Sequence, residues 1–134
     1  MDELTKNRTS GPLIGIGLDQ LHRESQEWID SVEFWKDELY FLDVILRKKI
    51  NDSTDQMFSE LLGNMGKVHH HLFTYLIKDI YAHEKLLSRL VKREKGLADS
   101  DYRNAHKELK GKMDLFAKDF MEFKKMVFGY AKKF

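Results

Sequence analysis

The sequence contains no cysteine and only one proline in 134 residues. Without thiols it can form no disulfide, iron–sulfur cluster, thiolate zinc site or cysteine nucleophile. With proline confined to Pro12, the residue that most often breaks a helix is missing from everything downstream. No apolar run approaches the ~20 residues needed to cross a bilayer, so no membrane span is expected. An excess of either charge is lacking too. The 23 Lys and Arg face 22 Asp and Glu for a net charge of +1, which gives no reason to expect nucleic acid as a partner. What is present, 34% charged and 42% hydrophobic residues, suits one folded domain that buries roughly two-thirds of its unfolded surface.

The even balance hides an uneven distribution. Residues 18–50 hold five basic and eight acidic side chains, whereas residues 100–134 hold nine basic and five acidic ones. Opposite segments of this kind suit neighbouring helices of one bundle. A weak basic patch of Lys124, Lys125, Lys132 and Lys133 for an anionic partner is the sharper alternative, diluted by Asp119 and Glu122.

Residues 1–17 carry Pro12, Gly11, Gly15 and Gly17 and read as an irregular lead-in, with residues 18–134 as a single helical domain. The apolar stretch Pro12–Leu18 has no basic lead and no small-residue cleavage site. It is a poor signal peptide, and the cytoplasm is the default compartment. From Leu18 the pattern turns helical. Leu18, Leu21, Ser25, Trp28, Val32, Trp35, Leu39, Leu42 and Leu46 follow alternating steps of three and four, predicting a first helix to about Ile50. Ser53 and Gln56 fit a capping box for a second helix running from about Thr54 to Lys95, with Gly96 as its terminal glycine. Within that helix Val68, Leu72, Ile80 and the intervening Leu76 are successive steps of four, a spacing that should straighten or locally unwind it. Gly63 and Gly66 predict a kink near Asn64 or a very close helix approach. Asp99 or Ser100 can cap a third helix, whose seam from Tyr102 through His106, Met113, Phe120 and Val127 to Phe134 is the most regular of all. The expected fold is all-α, an elongated antiparallel bundle of three long helices, or four if the glycine pair breaks the second.

Some bulky side chains lie off these seams. Phe34 and Phe41 are one heptad apart on the first helix, and Met121 and Phe128 repeat that spacing on the third. Either a wide stripe or a folded-back Leu13–Leu18 segment covers them, or they form a self-association surface, most simply a dimer.

Six histidines are the only candidate chemistry. In an antiparallel bundle His22 and His106 lie roughly 6 and 9 Å from one end and His83 roughly 16 Å from it. All three lie on or beside the seams, with Asp79 one turn before His83. Imidazoles with a carboxylate suit zinc or iron. The competing expectation needs no cofactor: the buried histidines hydrogen-bond to each other or to Tyr102. Known bundle metal sites pair their ligands three or four residues apart. Here the positions four after His69, His70, His71 and His83 are Phe73, Thr74, Tyr75 and Leu87, so the hemerythrin-like pattern fails. The Glu-x-x-His pairs of ferritin-like bundles are missing as well, since only Asp19 before His22 supplies a carboxylate. Of the run His69-His70-His71, His69 is expected to lean to the seam and the other two toward water. The segment His106-Lys107-Glu108-Leu109-Lys110-Gly111 is one residue too long for a phosphotransfer histidine motif.

The stretch Trp28…Phe34-Trp35-Lys36-Asp37-Glu38-Leu39…Leu42 resembles small bacterial helical-bundle proteins that have no characterised activity. The resemblance covers the first two helices and implies a helical bundle without a known site. The residues together predict a non-enzymatic, self-associating bundle that acts by protein–protein contact, with histidine-based metal or cofactor binding as the alternative.

Overall fold

A computed structural model describes residues 17–48, 56–92, 96 and 98–132. Helix α1 spans Leu18–Lys48 and α2 spans Gln56–His70. A π-helical segment, His71–Leu76, runs without a break into α3, Ile77–Val91, and α4 spans Asp99–Ala131. Because α2, the π segment and α3 form one rod, the molecule is a bundle of three long helices and all-α among the described residues. No helix among them is long and apolar enough to cross a membrane.

Contacts between the rods fix their directions. Gln26 meets Glu84 while Lys36 lies over Phe73, so α1 and the second rod run antiparallel. His83 meets His106 while Phe58 meets Tyr130, so the second rod and α4 are antiparallel as well. It follows that α1 and α4 are parallel, and Glu24 indeed meets His106 while Glu38 meets Lys124.

The seams supply the core. Leu39, Leu42 and Leu46 of α1, Leu72, Leu76 and Ile80 of the second rod, and Phe116, Phe120 and Val127 of α4 are all buried in one continuous cluster. Steps of four explain the π segment. Each such step turns an α-helical stripe about 40° past a full circle, so three in a row would carry Ile80 about 120° off the axis. A π-helix has roughly 4.4 residues per turn, so four residues fall about 33° short of a circle and offset the overshoot of the α-helical steps on either side. The backbone N–H of Ile77 donates to the carbonyl of Leu72, five residues back, and Leu72, Leu76 and Ile80 are buried together. The expected unwinding is located here.

Three expectations need correction. The helix does not break at the glycine pair: α2 is regular from Gln56 to His70, and a Cβ at Gly63 or Gly66 would meet no atom within 4 Å. The two glycines face open space, so neither a kink nor a close approach requires them. The second rod ends at Val91 rather than Lys95, with Lys92 donating to the Ser88 carbonyl at 3.2 Å and Gly96 adopting a φ of 87° in the link. Lastly, α4 is capped by the Ala98 backbone carbonyl, not by a side chain, while Asp99 reaches Arg103 at 2.9 Å. The proposed Ser53 cap and the lead-in up to residue 16 lie outside the described residues.

Interior helical glycines with open space around them should be improvable. Gly63→Ala and Gly66→Ala are each expected to raise stability by about 1 kcal/mol in urea unfolding followed by circular dichroism. Gly96→Ala should lower it, since L residues rarely adopt that φ.

Candidate functional site

Three seam positions carry polar side chains at one level of the bundle. Ser25 of α1, His83 of α3 and His106 of α4 are all buried, between the main core and a smaller cluster of Leu21, Leu87 and Tyr102. They meet at one level because the second rod ends four residues earlier than its sequence pattern suggests. Counted from Val91 and Asp99, His83 and His106 are about 12 and 10 Å from the same end.

His106 joins all three rods. Its Nε2 lies 2.8 Å from Glu24 Oε1, and its Nδ1 lies 2.9 Å from His83 Nε2. The Glu24 carboxylate can only accept, so His106 Nε2 donates to it. The second bond joins His106 Nδ1 to His83 Nε2, one ring donating and the other accepting. Aromatic rings close this chain on two sides: Trp28 stacks on His106 with centroids 4.5 Å apart, and Tyr102 stacks on His83 at 4.5 Å with the planes 4° apart. Ser25 turns its hydroxyl back to the Leu21 carbonyl at 3.3 Å, and the buried Tyr102 hydroxyl has no hydrogen-bond partner among the described residues.

Burial, and after it the neighbouring His106, push His83 down from 6.5 to about 4. Burial likewise raises the Tyr102 phenol from 10.0 to about 12. Both groups are therefore held neutral near pH 7. The carboxylates around them, Glu24 and Glu84, sit at the rim of the layer and are partly exposed.

The four residues proposed as metal ligands do not converge. His83 and His106 bond to each other. His22 turns outward to Glu84, with Nδ1 3.1 Å from Oε1, and Asp79, one turn before His83, pairs instead with Lys112 of α4 at 3.3 Å. Among the described residues no three His, Asp or Glu side chains are grouped to hold a metal ion. Two partners escaped the seam pattern, Glu24 and Glu84, because both flank the stripes instead of lying in them. The height of Glu24, six residues into α1 as His106 is seven into α4, is the signal that could have found it. In the histidine run, His69 stacks on Phe73 at 4.3 Å, but His71 is the one that reaches α4, at 5.5 Å from Phe116. The π segment begins at His71 and turns it that way.

A second feature lies on the outside. Glu38 and Lys124 form an ion pair at 2.9 Å across the α1/α4 groove. Phe34 and Phe41 lie four before and three after Glu38, so they neighbour it on the helix surface. Met121 and Phe128 lie three before and four after Lys124 and neighbour it likewise. All four therefore ring one ion pair on one face, with exposures of 61, 56, 54 and 41% respectively. The wide-stripe explanation for them fails among the described residues; of the expected Leu13–Leu18 cover, residues 13–16 lie outside them and Leu18 begins α1.

The fold and these two features define a three-helix bundle with a buried histidine layer and an exposed aromatic face. No known protein family, curated protein or solved structure matches the chain.

The buried layer makes stability depend on pH. An unfolded His83 takes up its proton near 6.5, but the folded one only near 4. Between those values the unfolded chain holds more protons, so stability falls as pH drops through the window, by roughly 3 kcal/mol in all. Urea midpoints measured from pH 7 to pH 4 should show this fall. His83→Gln, which keeps a hydrogen-bonding group toward His106, should flatten it.

Proposed function

We propose that the protein is a non-enzymatic helical bundle that acts by protein–protein contact, with the outer α1/α4 face as its contact surface and self-association as its mode. The observation that carries this reading is the gathering of Phe34, Phe41, Met121 and Phe128 around the Glu38–Lys124 pair. Bulky apolar side chains scattered singly over a surface need no explanation, whereas four on one face with a polar border have the composition of an interface centre. The core does not use them, since each helix already buries its own seam. The polar layer suits the same role, because its histidines are engaged with each other and with Glu24, which aligns the helices rather than offering a reactive group.

The test is sedimentation equilibrium at micromolar concentration. The native chain should exceed the 15.9 kDa of one copy. Phe34→Glu with Phe41→Glu, or Met121→Glu with Phe128→Glu, should weaken assembly by more than about tenfold and leave helical circular dichroism unchanged. A native chain that stays monomeric at high micromolar concentration, or assembly that survives both pairs, overturns the reading.

A further inference from the structure

We infer that the occupant of the α1/α4 face is a second copy of the chain, related by a two-fold axis along the helices, so that α1 of each copy lies on α4 of the other. The inference rests on the reading of that face as a self-association surface, and it adds the orientation of the two copies and the residues that meet.

Charge is the first argument. Asp30 and Asp37 lie four before and three after Phe34, along the outer edge of α1, and both are exposed. Lys118 and Lys125 flank Met121 in the same way on the outer edge of α4, and they too are exposed. None of the four has an ion-pair partner among the described residues. The face is thus an apolar strip with an acidic border on one side and a basic border on the other.

Register is the second. Contacts along the two parallel helices join Glu24 to His106, Trp35 to Phe116 and Glu38 to Lys124, positions 82, 81 and 86 residues apart in sequence. At these offsets Phe41 stands at the height of residues 122–127, between Met121 and Phe128, and Asp37 at the height of residues 118–123, between Lys118 and Lys125. A two-fold axis parallel to the helices keeps every height and exchanges left for right. It sets Phe41 against the second copy's Met121 and Phe128, and Asp37 against its Lys118 and Lys125, twice over. The other two-fold that brings these faces together runs across the helices. It lays α1 on α1 and α4 on α4, opposing Asp37 to Asp37 and Lys125 to Lys125. Exposed pairs of this kind add little affinity, but like charges in contact exclude an arrangement, so they choose the orientation.

Charge reversal tests this without touching the apolar strip. One variant carries Asp30→Lys and Asp37→Lys, the other Lys118→Asp and Lys125→Asp. Each alone should self-associate at least about tenfold more weakly than the native chain. An equimolar mixture should recover native affinity as a heterodimer, because both of its contacts again join opposite charges. Sedimentation and native mass spectrometry read the species, with circular dichroism confirming that each variant is helical. Folded variants that self-associate normally, or a mixture that fails to recover, overturn the orientation. If the Phe34/Phe41 substitutions still dissociate the assembly in that case, the surface stands and only the pairing falls. If they do not, the surface reading falls with it.

Discussion

Three apolar stripes have to face one axis along their whole length, and they do not have the same period. In α1 and α4 the stripes alternate steps of three and four, which keeps them nearly in line on an ordinary α-helix. The second rod instead places Leu72, Leu76 and Ile80 at successive steps of four. Either these residues leave the core or the backbone changes its winding there, and burial of three large aliphatic side chains, worth roughly 1.5–3 kcal/mol each, outweighs the poorer hydrogen bonding of a short π turn. The backbone yields at His71–Leu76. Everything beyond depends on that adjustment, since it sets the rotation at which α3 presents His83 to His106.

The polar layer that results trades stability for definition. Seam residues of one size and type slide past each other at little cost, and long apolar stripes leave register weakly specified. The run from Glu24 through His106 to His83 requires one residue from each rod at one height. A slip of a single turn would bury an imidazole with no partner, at a cost of about 1–3 kcal/mol or more. Even in register Tyr102 Oη and Glu84 Oε2 are buried with no hydrogen-bond partner among the described residues. An apolar replacement would hold the helices together at least as well. Fixing which residues meet is the better account of why three polar side chains occupy the seam.

How much of this can be read from the sequence depends on whether the signal is local. The regular seams of α1 and α4 suffice for their extent, because a heptad pattern is a property of one helix. Successive fours mark the site of unwinding, although the glycines eight and five residues earlier look like the better candidates for a break. Glycine spacing alone cannot say whether a neighbour is close, and here none is. The histidine pair was partly legible, both residues lying in seams. Their partners were not, because pairing depends on where the second rod stops. The basic residues after Val91 and Gly96 suggest a longer helix, and four extra residues put His83 about 6 Å too far from His106. Once the heights are mistaken, His22 looks like a third ligand when its neighbour is Glu84.

The outer face depends on the same register. Nothing in α1 by itself makes Phe34 and Phe41 more than two exposed aromatics, and the same holds for Met121 and Phe128 in α4. They become one surface because the two helices are parallel, held by Glu24 on His106 at one end and Glu38 on Lys124 further along. Parallel helices also bring an acidic edge and a basic edge to overlapping heights on either side of the apolar strip. A core that is complete without these positions leaves them free of folding constraints, and polar residues there would cost the monomer nothing. Apolar side chains at four such positions, bordered by exposed charges of opposite sign with no ion-pair partner among the described residues, fit the proposed pairing of two copies in one orientation.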